Sequence, residues 1–179
     1  MSPENVHYFN MLVGAGVILM QILSILALAL LVLKKENRYL SFIKENFIQI
    51  GFFLSMSALV VSAIYSEVIG YLPCFHCWVQ RIFIFPQAFL FGVAWLRKEV
   101  SVLWYSAPLL LVGLADALYL NYIYNFAQDS APCDASGVSC VQHLVSEFGG
   151  YISIPMLSLS GFVALLVVLA VAHFYKKDN

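Results

Sequence analysis

The chain has 179 residues, of which 62% are hydrophobic and only 11% charged; its formal net charge is −1 and its mean hydropathy +0.87. A soluble domain carries about 25% charged residues, so this composition excludes a soluble globular enzyme, a disordered tail and a collagen-like fibre. The near-neutral charge leaves no electrostatic footprint for nucleic acid, and the chain reads as an integral membrane protein.

A spanning helix needs about 20 apolar residues, because every backbone polar group must be satisfied within the segment. Five stretches meet that requirement: residues 11–33, 47–71, 77–96, 102–126 and 154–175. The first has no Lys or Arg in residues 1–10 and is followed, not preceded, by its basic cluster. It therefore reads as a retained span and not as a cleaved signal peptide. The third is interrupted by Arg81 and Pro86. In the one long connection, 127–153, the stretch VQHLVSEFGGYI sets Val141, Leu144, Val145 and Phe148 at helical spacing. That spacing predicts a short amphipathic helix lying on the membrane surface.

Loop charges orient the spans. Lys34, Lys35, Arg38 and Lys44 lie between the first two, Arg97 and Lys98 between the third and fourth, and Lys176 and Lys177 after the last. Eight of the nine basic residues thus share one side, which the positive-inside rule makes cytoplasmic. The opposite loops carry Asp129, Asp134 and Glu147 and no Lys or Arg. The expected fold is an all-α membrane protein of five transmembrane helices, amino terminus outside and carboxyl terminus cytoplasmic.

This topology puts all four cysteines on the oxidising side, where disulfides persist. Cys74 and Cys77 stand in PCFHC at the start of the third span, and Cys133 and Cys140 in the long outer loop. A Cys-X-X-Cys pair closes too short a loop to stabilise a fold much, but it is the spacing of dithiols that cycle. Near a helix amino terminus, Cys77 is favoured as thiolate. Arg81, one turn further on, is a costly intramembrane cation that needs a partner. A thiolate, the reduced oxygen of a bound electron acceptor, or simply Glu67 near the outer end of the second span would serve. Two fixed disulfides, or a zinc site assisted by His76 or His143, are the alternatives; zinc sites usually pair two short Cys-X-X-Cys units, and no metal is expected. Asp116, in the fourth span, should face the bundle interior, protonated or hydrogen-bonded. Gln21, Gln49, Gln87 and Asn121 read as interhelical hydrogen-bonding residues.

PCFHCWVQRIFIFPQ resembles the signature of the DsbB family of disulfide-bond formation proteins, with its Cys-X-X-Cys, Trp, Gln-Arg and downstream Pro. The segment from Cys133 through GGYISIPMLSL resembles the short-loop, BdbC-type members. The vitamin K epoxide reductase relatives place their loop pair before the Cys-X-X-Cys, the reverse of the order here. The likeness implies a four-helix bundle in residues 46–179, with outer cysteine loop 127–153. Residues 1–45 then form an additional span and cytoplasmic linker. It implies a quinone-dependent thiol oxidase of the bacterial cytoplasmic (inner) membrane that makes disulfides de novo. Two redox disulfides are implied, Cys133–Cys140 to oxidise an extracytoplasmic DsbA-like, thioredoxin-fold oxidase, and Cys74–Cys77 to pass electrons to ubiquinone or menaquinone. Arg81 would stabilise the Cys77 thiolate and polarise a quinone carbonyl, with Gln80 and Trp78 helping to form the site. A quinone reductase like vitamin K epoxide reductase, and a non-enzymatic protein with structural disulfides or bound metal, are the competing readings.

Overall fold

The computed structural model describes residues 2–34, 37–126 and 139–175. Among these, six helices follow in order: α1 (Pro3–Val32), α2 (Arg38–Glu45), α3 (Phe47–Ala63), α4 (Phe75–Arg97), α5 (Val102–Phe126) and α6 (Ile154–Phe174). A π-helical turn, Ile64–Ile69, prolongs α3. Five of these segments, all but α2, are long and apolar enough to cross a membrane.

α3, α4, α5 and α6 pack in sequence, and α6 returns against α3 to close a four-helix bundle. Phe91, Leu110, Phe162 and Leu165 fill its core. α1 lies outside this ring, along α6. Large apolar side chains such as Ile82, Phe89, Trp104 and Leu118 stand on the outer surface, as lipid-facing residues do.

α1 begins earlier than expected, because Ser2 caps it by accepting from the Asn5 amide and Pro3 occupies its first turn. Its 30 residues make roughly 45 Å of helix at 1.5 Å per residue, longer than the hydrocarbon core. α2 was not expected as a helix. Asn37 caps it through the Tyr39 amide, and Leu40 and Ile43, three residues apart, bury one face. α4 runs unbroken through Pro86.

The amphipathic helix expected at 141–148 is absent. Phe148, Gly149 and Gly150 all have positive φ, and Glu147 and Ile152 pair across the turn in an antiparallel bridge. Val145 and Ile152 go instead into a buried cluster with Tyr65.

Chain order gathers Cys74, Cys77 and the 139–153 segment at one end of the bundle. Lys34, Arg38, Lys44, Arg97 and Lys98 stand at the other. Lys35, Lys176 and Lys177 lie outside the described residues, as does the 127–138 part of the long loop, with Asp129, Asp134 and Cys133.

Small residues set the closest helix approaches, as in other membrane bundles. A Cβ placed on Gly51 of α3 would stand 2.6–2.7 Å from carbons of the Phe91 ring on α4. Phe91 is fully buried, so the ring must be displaced, and overpacking of this kind costs about 1–3 kcal/mol. Gly51→Ala should therefore lower the thermal unfolding midpoint of the detergent-solubilised protein. An unchanged midpoint would show that the α3–α4 contact yields without strain.

Candidate active site

The π-helical turn ends at Gly70, whose φ of 88° lies in the left-handed region that glycine tolerates. The reversal lays Tyr71 flat on Tyr65, ring centroids 5.9 Å apart. Pro73 follows, and Cys74 takes the N-cap position of α4 in extended conformation. Cys77 is then on the first turn of α4, near its unpaired amides. Tyr71 donates its hydroxyl to the carbonyl oxygen of Leu144 at 3.2 Å, which secures the returning loop.

That loop carries Cys140 onto Cys74. The two are disulfide-bonded, with Cα atoms 5.4 Å apart across 66 residues of sequence. Cys77 keeps a free thiol, its Sγ 3.3 Å from that of Cys74. The family likeness implies Cys74–Cys77 and Cys133–Cys140 pairs; here Cys74 is joined to Cys140, and Cys133 lies outside the described residues. Three sulfurs thus gather at the start of α4.

Below the sulfurs lies a cavity of about 440 Å³, bounded by α1, α3, α4, α6 and the 139–144 segment. This is within the range of small-molecule sites. Most of its lining is apolar, including Val61, Ile84, Leu157 and Phe162; Cys74, Cys77, Cys140, Gln80 and Arg81 reach it as well. Gln80 is 6% exposed, and its Nε2 has no hydrogen-bond partner. An orphaned buried donor beside an apolar cavity suits a ligand that brings a carbonyl oxygen, so the residues present fit a quinone headgroup.

Arg81 does not pair with Glu67, which is exposed. Its Nε donates to Ser62 Oγ at 3.0 Å and its Nη2 to the Ser62 carbonyl at 3.1 Å, across the α3–α4 contact. The rings of Trp78 and Phe85 flank the guanidinium, with centroids 5.1 and 5.9 Å from Cζ. Trp78 is 55% exposed and does not line the cavity; its contact is with Arg81.

Asp116, in α5, is hydrogen-bonded through Oδ1 to His76 Nδ1 at 2.7 Å, and so is held by a neighbouring helix. His143 meets the Tyr124 hydroxyl at 2.6 Å. Asn121 Nδ2 donates to the Pro155 carbonyl and Gln21 Nε2 to Ser160 Oγ, both between helices, whereas Gln87 Nε2 donates within its own helix to Phe83. Ser62, Tyr65 and Tyr71 escaped sequence reasoning. Their one signal is a hydroxyl group inside or beside an apolar run, which elsewhere is mere packing.

A multi-pass helical protein that gathers a disulfide and a third thiol at the mouth of an apolar cavity is built as a membrane thiol–disulfide oxidoreductase. The profile of the family described as disulfide bond formation protein DsbB matches residues 45–172. The probable disulfide formation protein C 2 of Bacillus anthracis is 32% identical over 140 residues, 78% of this chain and 99% of the relative. The probable disulfide formation protein C 1 of the same organism is 35% identical over 114 residues, 63% of this chain and 81% of its own. The SPbeta prophage-derived disulfide bond formation protein B of Bacillus subtilis (strain 168) is 34% identical over 115 residues, 64% of this chain and 76% of its own. No solved structure matches the chain. This protein belongs to the DsbB family, and is a membrane oxidoreductase of disulfide formation.

The His76–Asp116 pair ties the start of α4 to α5. Asp116→Ala would leave His76 Nδ1 stranded and should cost about 1–3 kcal/mol of stability, read as a lower unfolding midpoint in detergent. Asp116→Asn, which still offers a side-chain oxygen, should lose less. An Ala variant as stable as the parent would remove the pair from the packing of these helices.

Proposed function

We propose that this protein is a quinone-dependent thiol oxidase that generates disulfides de novo and reoxidises a DsbA-like, thioredoxin-fold dithiol oxidase. One observation carries the reading. A Cys74–Cys140 disulfide with the Cys77 thiol 3.3 Å behind it stands at the mouth of a cavity that also presents Gln80 and Arg81. The basic residues crowd the far end of the bundle, so the positive-inside rule turns the sulfur end out of the cytoplasm. That is the side on which a partner oxidase and stable disulfides are found.

Exchange passes through a mixed disulfide. The partner's thiolate attacks Cys133, which sits in the polar sequence after Asp129, Ser130 and Pro132; Cys140 leaves. Cys140 as thiolate attacks Cys74 of the Cys74–Cys77 disulfide, the Cys74–Cys140 bond forms, and Cys77 leaves as the third sulfur. These exchanges move the bond without net oxidation. Quinone, when bound, supplies the sink for the two electrons and two protons that each new disulfide releases. Within the protein, Cys77 presents a free sulfur that lines the cavity, Arg81 offers a fixed positive charge to that thiolate, and the Gln80 amide orients a carbonyl. The apolar wall excludes water, which strengthens each of these electrostatic contacts.

Full-length protein in lipid nanodiscs, given a reduced thioredoxin-fold dithiol protein and a soluble quinone, should form partner disulfides with matching quinone reduction. Given the oxidised form of the partner instead, Cys140→Ser should accumulate a Cys133–partner adduct, because the Cys133 thiolate opens the partner's disulfide and no Cys140 is present to reclaim the bond; peptide mass spectrometry maps it. Partner oxidation that proceeds equally without quinone, or an adduct held stably through Cys74, would overturn the scheme.

Arg81→Met should raise the apparent KM for quinone about ten- to a hundred-fold, since a hydrogen bond to a charged group is worth about 1.5–3 kcal/mol. A normal KM accompanied by a lower unfolding midpoint would instead reduce Arg81 to a tie between α4 and Ser62.

A further inference from the structure

α1 lies outside residues 45–172, the part of the chain that matches the family, and nothing above gives it a task. Yet it is tied to its neighbours at several points between His7 and Leu23. At the sulfur end His7 Nδ1 meets Glu147 Oε1 at 3.0 Å, and the Tyr65 hydroxyl donates to Asn10 Oδ1 at 3.0 Å. In the middle, Gln21 donates to Ser160 of α6 and accepts from the Tyr151 hydroxyl. Close by, the Tyr39 hydroxyl of α2 donates to the carbonyl of Leu23.

Between these ties, Leu12, Val13, Gly16, Val17 and Met20 face the cavity. Their spacing is that of one helix face. The two glycines of this stretch differ in kind. A Cβ on Gly14 would stand 2.8 Å from the Phe148 ring, so Gly14 is needed to seat the cysteine loop. A Cβ on Gly16 would meet nothing within 4 Å. Gly16 has an ordinary helical backbone, and glycine is disfavoured against alanine in a helix interior. Neither packing nor conformation calls for glycine there; Gly16 is exposed at the open side of the cavity, and its missing side chain keeps that side clear.

We propose that α1 is the size-setting wall of the quinone chamber, with Gly16 as the position that leaves space for the headgroup. The inference rests on the quinone reading above. It makes the additional span part of the cofactor site rather than a spare anchor, and it places a specificity determinant in a segment beyond the family match.

The test is a graded series, Gly16→Ala, Gly16→Leu and Gly16→Trp, in the full chain, with Leu19→Trp as control. Leu19 is on the same helix, 58% exposed and outside the cavity lining. Two properties are read with decylubiquinone and menadione as probes: the rise in unfolding midpoint that each quinone produces, and the KM for its reduction. The series should raise KM stepwise, reaching roughly tenfold or more at Leu, the scale on which apolar pockets reject an added group. The quinone-induced rise should shrink in parallel, while the quinone-free midpoint does not fall. Leu19→Trp should match the parent. Should the parent bind and reduce quinone while Gly16→Leu does so equally well, α1 is no wall of the chamber and the quinone reading stands. A parent that neither binds nor reduces either probe would overturn that reading and this inference together. Gly16→Ala adds one methyl group to a helix, which keeps the test decisive even if the Trp variant fails to fold.

Discussion

Thiol–disulfide exchange requires sulfur–sulfur contact, and the rest of this structure depends on meeting that condition at Cys74. A membrane helix can fix one sulfur at its end, but the second must come from a distant part of the chain. Here it comes from Cys140, 66 residues further on. Holding that segment takes several independent contacts. Tyr71 binds Leu144, Val145 and Ile152 are buried against Tyr65, and His7 engages Glu147. The π-helical turn and Gly70 matter because they aim Tyr65 and Tyr71 at this loop. π-Helical turns are uncommon and concentrate at functional sites.

A second constraint is the low dielectric of the bundle, where an unpaired polar group is expensive. Arg81 is met by Ser62, Asp116 by His76, and Asn121 by Pro155. Against that background the bare Nε2 of Gln80 stands out, because it borders the cavity beside the sulfurs. Buried polar atoms of Gln87, Ser106, Asp116 and Asn121 also lack a partner, but of these residues only Gln80 lines the cavity, so the frame around the site leaves one donor facing that space. Such a frame holds its geometry without reorganising when the ligand arrives.

Much was legible in the sequence, because the signals are local. Span length and hydropathy are summed over consecutive residues, so four of the five long helices fall within about two residues of expectation. α1 starts earlier only because its amino-terminal turns are polar enough to escape an apolar count. The Cys-X-X-Cys ahead of Arg81, and Gln80 between them, were visible as a motif. The 141–148 segment misled, since its apolar spacing suits a surface helix, while the positive φ angles at Phe148, Gly149 and Gly150 and the pull of the Tyr65 pocket direct it otherwise. α2 was missed because its eight residues carry too little apolar side chain to register beside five spans.

By itself the sequence determined the membrane class, the count of spans, the clustering of basic residues at one end and the residues able to do sulfur chemistry. These follow from composition and from the fixed rise of a helix. Only the tertiary structure decided that Arg81 rests on Ser62 and not Glu67, that Asp116 holds His76, that Trp78 stays out of the cavity lining, and that α1 supplies one of its walls. Each of these depends on how helices far apart in sequence are rotated against one another. Rotation about a helix axis is set by packing, and an all-round apolar helix in a membrane carries no polar face to announce it.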